Sequence, residues 1–309
     1  MDVGNHSSFQ YFLLLGLSTN PTVQAILLYF FSMVYVITLT GNVLLILSVR
    51  VDRRLHNSMY FFLLNLSFLD ILNSSVIVPN MLMNSASSTR TVSIVDCLLQ
   101  VYFFLLLAQT ECVLLAFMAY DRYVAICNPL QYNVVMNTAS CARMTSISWT
   151  TGCVTSSIDI YFMHQLKFCG PITINHFFCE APSLLQLACS DISANNIVML
   201  VGSTILLIVP LSLILYSYVQ IFLVLLNIQS GRYKAFSTCG SHLIVVFIFY
   251  GTGIFMYMQP RHRTSEVSDK VVSVFYTIIT PMLNPIIYSL RNKDVHQALR
   301  RLRNSALFL

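Results

Sequence analysis

Charge is what this sequence has least of. Only 9% of its 309 residues are Asp, Glu, Lys or Arg, against roughly a quarter in a soluble domain. A water-soluble enzyme or binding module of this length is thereby excluded. The net charge of +5 does not point to nucleic acid either, because Lys and Arg sit at the edges of apolar segments rather than along one face. Catalytic signatures are missing too: there is no HExxH and no Gly-rich phosphate loop. Neither a low-complexity tract nor a duplication of one half in the other is visible. The opening stretch MDVGNHSSFQ has no basic n-region, and the apolar patch Tyr11 to Leu17 is too short to cross a bilayer. The expectation is that the first spanning segment serves as its own uncleaved signal.

What fills the chain instead is apolar: 56% of residues are hydrophobic. About 20 such residues cross the hydrocarbon core as a helix, and on that criterion seven segments qualify, near 24–49, 58–83, 97–124, 140–160, 196–227, 235–258 and 271–290. The fourth is the weakest, being rich in Ser and Thr. The fold class is therefore an all-α membrane protein, a seven-helix transmembrane bundle. Short connections on one side carry Arg50, Arg53, Arg54, Arg122, Arg143, Arg232 and Lys234, and the tail adds Arg291, Lys293, Arg300, Arg301 and Arg303. The other side has Arg90, Lys167, Arg261, Arg263 and Lys270. The richer side is read as cytoplasmic. Residues 1–23 are then outside the cell, 24–290 form the bundle and 291–309 are a cytoplasmic tail, in a multi-pass plasma-membrane protein. Asn5 opens an Asn-His-Ser sequon in the compartment where glycosylation occurs.

Nine cysteines cannot all pair within the chain. Cys97, Cys169, Cys179 and Cys189 fall on the outer, oxidising side, and four cysteines allow three connectivities. Cys112, Cys127, Cys141, Cys153 and Cys239 are read as free thiols.

Within the spans, ionisable residues are few: Asp70, Glu111, Asp121 with Arg122, and Asp159. Each costs several kcal/mol unless paired or hydrated, so each is a functional candidate. Asp70 and Glu111 fall near mid-span with Asn42, Asn65 and Asn284 at similar depth, a cluster that can hold water or a small cation such as Na+ between helices; a hydrogen-bonded network without an ion fits the same residues. Asp121-Arg122 ends span three. Read blandly it is a snorkelling anchor. Read functionally it is a latch whose arginine changes partner between two states. Pro210, Pro281 and Pro285 mark kinks in spans five and seven.

In combination these motifs resemble the olfactory receptors, a branch of the rhodopsin-like G-protein-coupled receptors. The resemblance rests on Gly41-Asn42, LHNSMYFFLLNLSFLD (Leu55 to Asp70), MAYDRYVAICNPLQY (Met118 to Tyr132), Ser217-Tyr218, KAFSTCGSHL (Lys234 to Leu243) and PMLNPIIYSLRN (Pro281 to Asn292), in order and each at its span. Ser58 stands where the family usually has proline; this is expected to relax the loop geometry without touching the mechanism. The resemblance implies a receptor, not an enzyme, which binds a small odorant and activates a heterotrimeric G protein of the stimulatory type, raising cAMP. It assigns G-protein coupling to Asp121, Arg122 and Tyr123, with Tyr218, His242, Asn284, Pro285 and Tyr288 rearranging around them. It implies disulfides Cys97–Cys179 and Cys169–Cys189. His242 is expected to hydrogen-bond the span-three network, with Glu111 as a candidate partner. His176, Cys179 and Glu180 have spacing suited to a soft metal, but a Cys179 held in a disulfide cannot ligate, so no metal is assigned.

Phe104, Leu105, Ala108, Gln109 and Cys112 share one helical stripe of span three. Gly202, Ser203 and Leu206 from span five, Tyr250, Ile254 and Tyr257 from span six, and Val274 and Thr277 from span seven are expected to face it. The outer half of span three has no carboxylate, so the reading is a mostly neutral, hydrophobic volatile held chiefly by burial. After Asn292, Val295, Leu299 and Leu302 repeat at helical spacing with Arg300, Arg301 and Arg303 off that stripe, which reads as a short amphipathic helix 8 on membrane lipid. A receptor of this family sensing a metabolite outside the nose fits the same residues. A channel or transporter would need a hydrated polar path or an inverted repeat, and neither is seen.

Overall fold

The computed structural model describes residues 11–18, 20–87, 91–169, 173–227, 232–258 and 266–291, with 295, 297, 298, 300 and 301 beyond them. Asn5, Arg90, Arg261, Arg263, Leu299, Leu302 and Arg303 lie outside the described residues. Seven long helical segments dominate: span one is Pro21–Val51, span two Ser58–Ala86, span three Ile94–Cys127, span four Thr138–His164, span five Ser193–Asn227 and span six Arg232–Met258. Span seven is built from Glu266–Val274, Phe275–Ile279 and Thr280–Arg291.

Local sequence explains where the helices start. Asn20 accepts from the Thr22 amide at 3.0 Å with Pro21 at the first helical position, and Asn57, Ser93 and Asn137 cap spans two, three and four in the same manner. Six of the seven are long and apolar enough to cross a membrane, and span four is the exception. Several of its hydroxyls bond back to the helix: Ser148 donates to the Met144 carbonyl at 3.0 Å and Ser156 to that of Gly152 at 2.7 Å. Back-bonding of this kind removes their need for water. Span four packs closely on span three at Gly152, where a Cβ would collide with Thr110 Oγ1 and come within 2.6 Å of the Leu106 carbonyl. Small residues at such crossings let helix backbones approach.

Span seven is irregular where its prolines require it. Phe275–Ile279 is a π-type turn ending just before Pro281, which has no N–H to continue the ladder. Thr280 Oγ1 donates to the Phe275 carbonyl at 2.9 Å. The free Pro281 carbonyl accepts from Asn42 Nδ2 at 3.1 Å, and Gly41 faces Pro285, with room for a Cβ only 3.1 Å from the ring. Pro210 sits within a span five that continues as helix on both sides.

One end of the bundle carries a cap that the all-helical reading did not anticipate. The apolar patch too short to span forms β1 (Tyr11–Leu14), which pairs antiparallel with β2 (Thr91–Ser93) and parallel with β3 (Thr173–Ile174). Phe12 and Leu14 are buried while Tyr11 and Leu13 face out, the alternation a strand produces. Disulfides Cys97–Cys179 and Cys169–Cys189 staple the long loop below it. At the opposite end, the described residues after span seven are helical, with Val295 and Ala298 buried. Arg301 pairs with Asp52 at 2.9 Å, since the turn after span one places that carboxylate beneath it.

Candidate functional site: a cavity and a latch on one helix

At the disulfide end, spans three, four, five and six enclose a cavity of about 170 Å³. An apolar cavity of ~150 Å³ accommodates benzene, so a ring with a small substituent sets the scale of an occupant. Phe104, Leu105, Ala108, Gln109 and Cys112 line one wall, and Gly202, Ser203, Leu206 and Tyr257 also border the space. Four expected residues do not. Tyr250 turns to span three and donates to the Cys112 carbonyl at 2.8 Å. Ile254 is not among the residues of span six that do line the cavity, Phe249, Thr252, Gly253 and Tyr257. Thr277 is buried against its own helix, donating to Ser273, and Val274 faces away toward Lys270 and Val271. The π-type turn rotates this stretch, so that Tyr276 borders the cavity in their place.

Span four contributes a wall that sequence reading omitted: Thr155, Ile158, Asp159 and Phe162. Their spacing of three and four residues marks one helical face, and the signal was there in Asp159, an acid within an apolar run. Gln109 Nε2 donates to Asp159 Oδ2 at 3.0 Å, and its Oε1 accepts from Thr155 Oγ1 at 2.5 Å. The lining is therefore not only hydroxyls and one amide; a carboxylate enters it from span four.

The disulfide-stapled loop borders the cavity as a lid, through Ala181 and Leu185. Cys179, bonded to Cys97 at the start of span three, also donates its amide to Gln100 Oε1 at 2.8 Å. Phe178 packs edge-on against Phe104 with ring centroids 5.5 Å apart. Behind them Glu180 accepts from Tyr276 at 3.1 Å and from Ser183 at 3.3 Å, and lies 3.7 Å from His176. Burial pushes the His176 imidazole below its ordinary range, more than Glu180 raises it. The ring is thus neutral at pH 7 and packs as an aromatic against Phe177 and Phe178. Among the described residues no group of three or more His, Cys, Asp or Glu side chains is arranged to hold a metal ion.

At the far end of span three lies the second site. Ten residues separate Cys112 from Arg122, about 15 Å of helix. Asp121 is 1% exposed, yet Arg122 is not its nearest partner: the guanidinium stands 3.9 Å from Oδ2, while Oδ1 accepts from Ser58 Oγ at 2.5 Å and from Tyr132 Oη at 3.1 Å. Burial raises the Tyr132 hydroxyl to about 12, so it remains a donor. Ser58 was expected to leave the mechanism untouched. It instead binds the carboxylate beside Arg122, because a hydroxyl at the start of span two can donate where proline has nothing to offer.

The remaining members do not form one network. Tyr218 Oη and His242 Nδ1 are 2.8 Å apart, so His242 meets span five; among the described residues no hydrogen bond joins it to Glu111. Tyr288 is buried, and Pro285 packs on Gly41. Asn284 Nδ2 donates to both Asp70 oxygens at 3.0 and 3.1 Å. Asn42 spends its amide on Thr38 and Pro281 rather than on Asp70, and Asn65 on Phe61. Glu111 Oε1 is buried without a hydrogen bond. Tyr123 lies apart, its ring stacked beside Tyr120.

Comparison with known proteins agrees with this architecture. Residues 31–305 match the family model described as olfactory receptor. Human olfactory receptor 2G6 is 49% identical over 308 residues, covering 98% of this chain and 96% of its own length. Human olfactory receptor 2G3 is 46% identical over 309 residues, covering 99% of this chain and all of its own. Human olfactory receptor 2K2 is 47% identical, covering 96% and 95%.

Proposed function

This chain belongs to the olfactory receptor family, and from that premise we propose that its ligand is a small, mostly neutral, hydrophobic volatile bound in the cavity between spans three and six. Membership makes it a multi-pass membrane receptor that couples to G protein and is not an enzyme. On our reading the G protein is of the stimulatory type and the output is cAMP. Residues 1–23 and the disulfide-stapled lid face outward, 24–290 form the bundle, and 291–309 meet the inner leaflet. At Asp70 and Glu111 a small cation and a hydrogen-bonded network without an ion both fit the unbonded Glu111 Oε1.

The observation that carries the reading is that one continuous helix holds both the cavity wall and the Asp121–Arg122 pair. A ligand that prefers one packing of spans three to six shifts the population of the other end, provided it binds the two states unequally. Coupling residues here are Arg122, restrained by Asp121, with Tyr218, His242 and Tyr288 alongside.

Filling the cavity tests this directly. Gly202 borders the space, and a Cβ there meets nothing within 4 Å. Gly202→Phe is expected to reach the cell surface at wild-type level and to lose the cAMP response to volatiles by tenfold or more in potency. An unchanged dose–response curve at equal surface level would place the ligand elsewhere.

A further inference from the structure

An unpaired carboxylate in an apolar cavity calls for a partner, and the bundle leaves Asp159 half supplied. Its Oδ2 is held by Gln109, which Thr155 orients in turn. Among the described residues no hydrogen bond reaches Oδ1, and no Lys, Arg or His pairs with the group. Asp159 lies in the last turns of span four, on the disulfide side, and is part of the cavity lining. An intramembrane carboxylate is costly unless something hydrogen-bonds or neutralises it. A carboxylate oxygen only accepts, so what it lacks is a donor.

We propose that Asp159 is the ligand-orienting residue of this receptor, and that the preferred ligand has a small apolar body ending in one hydrogen-bond donor, an O–H or an N–H. The inference rests on the cavity being the odorant site. Most of the remaining lining, with Phe104, Leu105, Leu206 and Phe249 prominent, takes the apolar body, and Asn195, Ser203, Thr252 and Tyr257 are polar groups elsewhere on the wall. Acceptor-only heads, such as an aldehyde or ketone, would set an oxygen against Oδ1 and gain nothing there. Alcohols and amines share the required chemistry; an amine that arrives as the neutral base and is protonated in water also supplies the missing charge.

The test uses matched probes of one size: benzyl alcohol, benzylamine and benzaldehyde, together with the hexyl alcohol, amine and aldehyde. Each is applied to cells expressing the full chain, with cAMP as readout and surface level measured in parallel. Hydrogen bonds to a charged group are worth more than neutral ones, so alcohol or amine should be at least about tenfold more potent than its aldehyde. Asp159→Asn, which presents an amide donor beside its oxygen, should level or reverse that order while the apolar body still binds. The alcohol-to-amine ratio tells which donor is preferred. Aldehydes as potent as their partners would overturn the inference and leave the cavity reading intact. An equal loss for all three heads in Asp159→Asn would mark a structural clamp between spans three and four, and would also overturn it. Should that variant fail to reach the surface, the wild-type ratio decides alone. Silence toward every probe, with wild-type receptor at the surface, would count against the odorant cavity itself and the inference with it.

Discussion

Gly152→Val is expected to remove this receptor from the cell surface. Spans three and four meet there at backbone distance: a Cβ would run into Thr110 Oγ1 and approach the Leu106 carbonyl to 2.6 Å. The hydroxyl cannot swing aside freely, because it donates to that same carbonyl at 2.7 Å. Overpacking a core typically costs about 1–3 kcal/mol, and the obstacle here is backbone, which sets the cost at the upper end. Folded proteins have only about 5–15 kcal/mol in hand, so surface protein should fall by roughly tenfold. Gly251→Ala is the matched control, since a Cβ there meets nothing within 4 Å; its surface level should equal or exceed wild type, as alanine is the better helix former. Surface staining of the two variants against total protein makes the comparison. Normal staining of Gly152→Val would mean that spans three and four do not meet in this register.

Cys97→Ala should abolish the response to ligand while leaving a larger share of protein at the surface than Gly152→Val does. The bond it removes joins residues 82 apart and fixes the lid to the first turn of span three. Loop-closure entropy alone would assign about 4.5 kcal/mol to such a link, an upper figure because helices embedded in a membrane are not a random coil. What remains without it is Cys169–Cys189, which ties the loop only to itself, the pairing of β3 with β1, and the Cys179 amide on Gln100. Phe178 and Glu180 then lose their fixed positions against Phe104 and Tyr276. Protease added to intact cells should cut the loop faster in Cys97→Ala, and Cys179→Ala should match it, with the double variant no worse, because both changes remove one bond. Resistance equal to wild type would show that the lid is held by its packing instead.

Six of the seven helices were legible as long apolar runs, and span four was the weakest because of its hydroxyls, several of which bond back to their own helix. The pocket stripe on span three was legible as well: two residues in each turn, from Phe104 to Cys112, face one way whatever the neighbours do. Register on spans six and seven was not. Span six is apolar on most sides, so no pattern distinguishes Phe249 from Tyr250, and one residue of error turns the helix by about 100°. In span seven the π-type turn adds a residue to one turn, which puts Tyr276 where an ideal helix would put Thr277. The Ser58–Asp121 bond was hidden for another reason. It links residues 63 apart, and only the assembled bundle shows that the start of span two reaches the end of span three.

The central claim is that cavity and latch are two ends of one switch, and a single cAMP experiment tests it. Cells expressing the wild-type chain or Arg122→Ala, matched for surface level and supplied with a stimulatory G protein, are exposed to the alcohol, amine and aldehyde probes. The account predicts a wild-type response that Arg122→Ala loses by at least tenfold in amplitude, while its surface level is unchanged. A response of full size in Arg122→Ala would contradict the account, because signal would then leave the bundle without the arginine that span three carries to its far end.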